Sequence, residues 1–318
     1  MNIYLTFLFL IFGLALLVKG ADIFVDAGSG IARNFKVPPF IIGLTVLAFG
    51  TSAPEVFIGV RAALTGTDAL ALAMGNVIGS NILNLILIIG IGAVIKPIAL
   101  EFKRISTDFW ISLSGPALLL IALLFFETQI PRIFSGILLL VFSIYSFYLL
   151  KKARKNRTVY VGEPLDTETK SLTYNIIFAL IGLIAIVVGG EVTVHNAIQI
   201  ANVLGMSPRM VGLTIVAIGT SLPELLIVIV ASRRGKEDLA VGNIVGSSIF
   251  NILFIIGITG IITPLPIDSR LFFDLIFLLG SSLIFLIFIL TKNKLSRFEG
   301  SILIMLYLIY ITVLTILN

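Results

Sequence analysis

The chain has 318 residues, 58% of them hydrophobic and only 12% charged, with a mean hydropathy of +1.14. A water-soluble domain carries roughly 25% charged residues, so the bilayer is the expected solvent, and apolar stretches of spanning length recurring to the last residue argue against a signal peptide followed by a soluble enzyme. The lack of cysteine and the single histidine, His195, exclude disulfides, thiolate centres and His-cluster zinc chemistry; the net charge of +5 sits in loops between apolar segments, which speaks for membrane topology and against nucleic-acid binding.

In chain order, ten apolar segments meet the ~17–25 residues a spanning helix needs: 3–31, 39–64, 70–95, 106–126, 132–150, 173–203, 208–232, 239–262, 270–291 and 299–317. The predicted fold class is an all-α integral membrane protein of ten transmembrane helices. One long polar insertion interrupts them at 151–170, with KKARKNR followed by an acidic stretch. It is too short and too charged for a domain. It divides the chain into a first five-helix repeat at 1–150, a linker at 151–172 and a second five-helix repeat at 173–318. Seventeen Lys and Arg crowd the loops of one side, against Arg61, Arg132, Arg209 and Arg270 on the other. The positive-inside bias places the linker in the cytoplasm and both termini outside a cell membrane.

The two halves repeat one another. IIGLTVLAFGTSAPE at 41–55 matches MVGLTIVAIGTSLPE at 210–224, and MGNVIGSNILNLILIIGIGAVIKP at 74–97 matches VGNIVGSSIFNILFIIGITGIITP at 241–264. Upstream, Gly13, Asp22, Asp26 and Pro39 align with Gly182, Glu191, His195 and Pro208. Five spans separate the copies, so the second enters the membrane from the opposite side. This is the inverted-topology arrangement of alternating-access transporters.

Glu55 and Glu224 lie inside apolar segments, where a charge costs roughly 2.5–3.5 kcal/mol on insertion scales. Each is expected to face a polar cavity and meet a cation or a proton. Thr51 and Ser52 precede Glu55 by one helical turn, as Thr220 and Ser221 precede Glu224, so these side chains converge on one face. Pro54 and Pro223 cannot donate to the carbonyls of Gly50 and Gly219. The helices should kink or unwind there, freeing carbonyls around Ala48 and Ala217. The GNxxGSxxxN element adds Asn76, Ser80 and Asn84 in one half, Asn243, Ser247 and Asn251 in the other. Ser80 with Asn84, and Ser247 with Asn251, share a helical face. Asn76 and Asn243, nearer the loops, suit helix caps equally well. Asp22, Asp26, Glu191 and His195 read as structural groups in preference to an access path. Carboxylate, hydroxyl, amide and carbonyl oxygens suit a hard cation such as Ca²⁺, Na⁺ or Mg²⁺ and disfavour zinc or copper.

On these residues the chain resembles the sodium/calcium exchanger family of the calcium/cation antiporter superfamily, in a prokaryotic form without a regulatory loop domain. The resemblance spans nearly the whole chain and rests on GTSxPE with GNxxGSxxxN in both halves. It implies Na⁺/Ca²⁺ antiport by alternating access, with Glu55, Glu224, Asn84 and Asn251 around one Ca²⁺ site. It also implies that Thr51, Ser52, Ser80, Thr220, Ser221 and Ser247, with the carbonyls of Ala48 and Ala217, serve flanking Na⁺ sites. Helices 2, 3, 7 and 8 would form the core and helices 1 and 6 a sliding gate. Asn at 251, where potassium-dependent relatives and some prokaryotic members carry Asp, is as in the potassium-independent exchangers and implies K⁺-independence. Two carboxylates at −2 agree with an electrogenic exchange of three Na⁺ for one Ca²⁺. No cofactor and no enzymatic activity are implied. The expected partners are the two ions and the lipid bilayer, with no obligate protein partner and a monomer as the simplest state. H⁺/Ca²⁺ exchange is the nearest alternative, and a cation channel a distant one.

Overall fold

The computed structural model describes residues 3–127, 129–155, 170–203, 219, 221–267 and 269–317. Helices α1 (Ile3–Phe35) and α7 (Leu172–Val203) are the two longest. At 1.5 Å per residue α1 is about 50 Å long, well beyond a ~30 Å hydrocarbon core, so it crosses with a tilt or projects from the membrane. The two helices pack antiparallel along a glycine seam. A Cβ at Gly20 would lie 2.9 Å from the Gly182 carbonyl oxygen, and one at Gly189 would lie 2.9 Å from that of Gly13. Only glycine admits such an approach, which brings backbone onto backbone in the manner of small-residue membrane interfaces.

Next come α2 (Pro39–Thr51) and α3 (Ala53–Thr65), with a bend of 47° between Pro39–Thr51 and Glu55–Thr65. The kink expected from Pro54 is present, because a proline in the first turn of α3 is tolerated while continuation of α2 through it is not. Helix α4 (67–95) and helix α9 (Glu237–Ile262) each widen in mid-course into π turns, at Leu83–Ile88 and Phe250–Ile256. Among the described residues their spans, Ala73–Ile95 and Glu237–Ile262, are the most buried, and they form the centre. Between them in sequence lie α5 (Phe102–Phe125), α6 (Arg132–Lys155), α7 and the short α8 (Leu222–Arg233). Helices α10 (Ser269–Lys292) and α11 (Arg297–Leu317) complete the chain.

Four two-residue strands tie the helix ends together. β1 (Ile98–Ala99) pairs antiparallel with β4 (Lys294–Leu295), and β2 (Gln129–Ile130) with β3 (Leu265–Pro266). The outward faces of the peripheral helices carry exposed Phe125, Leu140, Phe147, Leu283 and Leu308. Such surfaces would aggregate in water and are ordinary in lipid, where helices alone satisfy their own backbone.

Among the described residues eight helices are long and apolar enough to span a membrane, and nine with the bent α2–α3 pair. The tenth expected span, 208–232, falls partly on 204–218, outside the described residues, and only its later part is seen, as α8. Helix α6 continues to Lys155, so the first basic residues after 150 are helical.

Candidate ion site

The site is assembled where α2, α3, α4, α8 and α9 meet. Glu55 stands in the first turn of α3 and Glu224 in the first turn of α8, each behind a proline in the first two helical positions. The break at Pro54 therefore ends α2 and begins α3, and both α3 and α8 carry a carboxylate near their N-terminus, where free N–H groups and the helix dipole favour negative charge. Glu55 is 2% exposed and Glu224 1%. The two carboxyls are near enough for the Glu224 charge to act on Glu55, and Thr51, Ser52 and Ser247 border the Glu224 side chain.

Asn84 and Asn251 occupy equivalent places, each the second residue of its π turn. A π turn offsets the following residues and is frequent at functional sites. Here it falls at the one polar residue in each run LNLILI and FNILFII. Hydroxyls from opposite halves meet across the centre. Thr51 Oγ1 lies 3.4 Å from Ser247 Oγ and 3.4 Å from Asn243 Oδ1, and Ser221 Oγ lies 3.4 Å from Ser80 Oγ. Asn243 is thus a buried contact of the centre and not a helix cap; Asn76 is half-buried on α4.

Buried polar groups are normally satisfied. Among the described residues ten buried side-chain N or O atoms have no hydrogen-bond partner, and seven belong to this constellation: Ser52 Oγ, Glu55 Oε2, Asn84 Nδ2 and Oδ1, Glu224 Oε2, Asn243 Nδ2 and Asn251 Oδ1. Five of the seven are oxygens. An oxygen set of this kind with two carboxylates fits a transported hard cation. No cluster of three His, Cys, Asp or Glu side chains occurs among the described residues.

One expectation is corrected. The break at Pro54 does not release the Ala48 carbonyl, which accepts the Ser52 N–H at 3.0 Å and the Thr51 hydroxyl at 3.3 Å. The proline removes a donor aimed at Gly50, whereas Ser52 retains its own N–H. The Thr51 hydroxyl also lies 3.4 Å from Asn243 Oδ1, and donation there would leave one lone pair of the Ala48 carbonyl for a cation. Thr220 and Ala217 lie outside the described residues.

Asp22 and Asp26 are engaged elsewhere. Arg234 donates to Asp22 at 2.9 Å and pairs with Asp26, and Lys236 donates to Asp26 at 2.8 Å. The hydrogen bond to Asp26 raises the Arg234 pKa above its ordinary value. These pairs tie α1 to the loop between α8 and α9. Glu191 is exposed, and His195 is exposed with its Nε2 2.7 Å from Gln199 Nε2. Two acids escaped the sequence reading, one buried and one half-buried. Asp108 on α5 is fully buried, accepting from Tyr145 at 2.7 Å and Lys152 at 3.0 Å, and Asp274 on α10 accepts from Tyr310 at 2.8 Å. Their partners lie 36 or more residues away along the chain, so no local motif betrays them. An apolar crevice of about 870 Å³ is a different feature, bounded by Phe24, Phe49, Phe142, Leu180 and Phe250, with no carboxylate among the described residues of its wall.

The family model for the sodium/calcium exchanger protein matches residues 5–151 and 174–316. The chain belongs to the sodium/calcium exchanger family. It is a multi-pass membrane antiporter of that family. A putative antiporter CaxA of Alkalimonas amylolytica is 39% identical over 95% of this chain and 96% of its own. The sodium/calcium exchanger MaX1 of Methanosarcina acetivorans is 33% identical over 98% and 99%. Among solved structures, the sodium-calcium exchanger NCX_Mj soaked with Na⁺ and Sr²⁺ superposes with a TM-score of 0.81 at 31% identity, covering 98% of this chain and 99% of that one.

Proposed function

We propose that this exchanger moves Na⁺ against Ca²⁺ by alternating access at a midplane site, three Na⁺ for one Ca²⁺, without K⁺. The observation that carries the reading is the group of buried, unpartnered oxygens around two carboxylates drawn from opposite halves of the chain. Glu55, Glu224, Asn84 and Asn251 hold Ca²⁺; Thr51, Ser52, Ser80, Thr220, Ser221 and Ser247, with the carbonyls of Ala48 and Ala217, complete the Na⁺ sites. Both ions need the same glutamates, so the site cannot hold full sets of both. An empty site at −2 resists crossing a low-dielectric barrier, while a loaded one does not.

The architecture is two inverted five-helix repeats, 1–150 and 173–318, joined by a cytoplasmic linker at 151–172, with both termini outside the plasma membrane. Two pairings favour this. Aligning Gly13 with Gly182 and Gly20 with Gly189 turns the Gly13–Gly189 contact into Gly182–Gly20, which is also present. The same operation carries β1 onto β3 and β4 onto β2, and so exchanges the two strand pairs. In this reading α1 and α7 slide over the core as the gate.

The test is ⁴⁵Ca²⁺ uptake into Na⁺-loaded proteoliposomes at clamped membrane potential. Uptake is expected to require the outward Na⁺ gradient and to ignore K⁺. Uptake indifferent to Na⁺ and driven by a pH gradient would establish H⁺/Ca²⁺ exchange in its place.

A further inference from the structure

Next to the constellation stands a buried amide that the repeated motif does not explain. Asn81 follows Ser80 on α4 and is 1% exposed; the corresponding residue of the second half is Ser248. Asn81 Nδ2 donates to the main-chain carbonyl of Ser248 at 3.1 Å, and Asn251 Nδ2 donates to Asn81 Oδ1 at 3.2 Å.

The direction of these bonds follows from chemistry. A main-chain carbonyl can only accept, so Asn81 must turn its NH₂ toward Ser248. Its oxygen is then what Asn251 meets, and Asn251 must turn its own NH₂ outward to Asn81. An amide flip at either residue would set donor against donor or acceptor against acceptor. The series ends at Asn251 Oδ1, an oxygen buried without a hydrogen-bond partner among the described residues. Asn84, the counterpart of Asn251, has neither amide atom engaged. Its half of the centre lacks the restraint, because Ser248 stands where a second Asn81 would be.

We infer that Asn81 is a positioning residue of the ion site, anchored on the Ser248 carbonyl and holding Asn251 so that its oxygen, and not its NH₂, faces the cation. This rests on Asn251 being a Ca²⁺ ligand. Groups that orient a metal ligand typically contribute 10–100-fold to affinity. One amide ligand is thus fixed in advance, while the other, Asn84, is free to turn as ions exchange.

The experiment compares Asn81→Ala, Asn81→Ser, Asn251→Ala and the double Asn81→Ala/Asn251→Ala in full-length protein, in proteoliposomes. Asn81→Ser copies the residue that the second half tolerates at this place. Both Asn81 variants are expected to raise the KM for Ca²⁺ by roughly 10–100-fold with little change in maximal turnover. The double variant should be no worse than Asn251→Ala alone, since nothing remains to orient. An unchanged KM in the Asn81 variants, or losses that multiply in the double, overturns the inference. So does failure of both Asn81 variants to fold, which would make the residue a packing group. A wild-type KM in Asn251→Ala would instead remove the ligand reading itself, whatever Asn81 does.

Discussion

Charge at the centre of this exchanger is carried by two side chains, Glu55 and Glu224, with hydroxyls and amides around them that add oxygens without adding charge. One Ca²⁺ makes such a site neutral; three Na⁺ leave it at +1. Glu55→Gln or Glu224→Gln preserves shape and removes one unit of charge. Ca²⁺ uptake is expected to fall by at least about 100-fold, since ligand charge count sets Ca²⁺ affinity, with an unchanged elution volume in size-exclusion chromatography. Near-normal uptake in either variant would overturn the assignment. Asp108 shows what a structural acid looks like by contrast. It is satisfied by Tyr145 and by Lys152, whose side chain is 22% exposed. Breaking a fully buried pair costs about 3–5 kcal/mol, and partial exposure of the lysine reduces this to about 1–3 kcal/mol. Lys152→Met should therefore lower the Tm in detergent by several degrees and leave the KM for Ca²⁺ alone. A KM shift without a Tm shift would place Lys152 on the ion path.

At the scale of elements, the α1–α7 seam and the candidate ion site are separable. A side chain at Gly20 would first meet Ile186 N, the Gly182 carbonyl and Ala185 Cβ, all on α7. Gly20→Val would push the two long helices apart or lock them, so turnover should drop severely while equilibrium Ca²⁺ binding in detergent stays within a few-fold. Loss of binding in step with turnover would mean that α1 and α7 do not act as a separate gate. The ion pairs of Arg234 and Lys236 with Asp22 and Asp26 hold the same helix to the α8–α9 loop. Arg234→Ala with Lys236→Ala should increase labelling of a single cysteine placed near Asp22 by a membrane-impermeant thiol reagent added from the linker side; unchanged labelling would show that these pairs do not hold that side shut. Much of this core was legible in the sequence, because a glutamate or asparagine in an apolar run has few bland uses and duplication doubled the signal. The π turns were not, since LNLILI and FNILFII read as plain apolar helix. Asn81 escaped because its partners lie across the molecule and its counterpart is a serine. The fate of the Ala48 carbonyl escaped because a proline announces the donor it lacks, and not the neighbour that still has one.

At the scale of the whole molecule, an antiparallel α1–α7 pair and strand pairs that exchange when the two halves of the sequence are aligned suit a machine whose two faces are alternately open around a fixed centre. The strand pairs join the ends of helices from both halves, so the peripheral helices can stay fixed while α1 and α7 move. Such a cycle has a definite electrical consequence. Three Na⁺ against one Ca²⁺ carries one net positive charge, and one charge moved through 100 mV is worth about 2.3 kcal/mol, which is roughly a 50-fold change in an equilibrium ratio. Proteoliposomes with a K⁺/valinomycin-set potential and fixed Na⁺ gradient should therefore reach a Ca²⁺ ratio that shifts by about 50-fold per 100 mV. A two-for-one exchange is electroneutral and gives no shift at all, and a four-for-one exchange gives the square of it. The shift therefore measures the stoichiometry directly. If the ratio ignores voltage, the third Na⁺ is absent, and not all of the hydroxyls of Thr51, Ser52 and Ser247 that border Glu224 are needed as Na⁺ ligands.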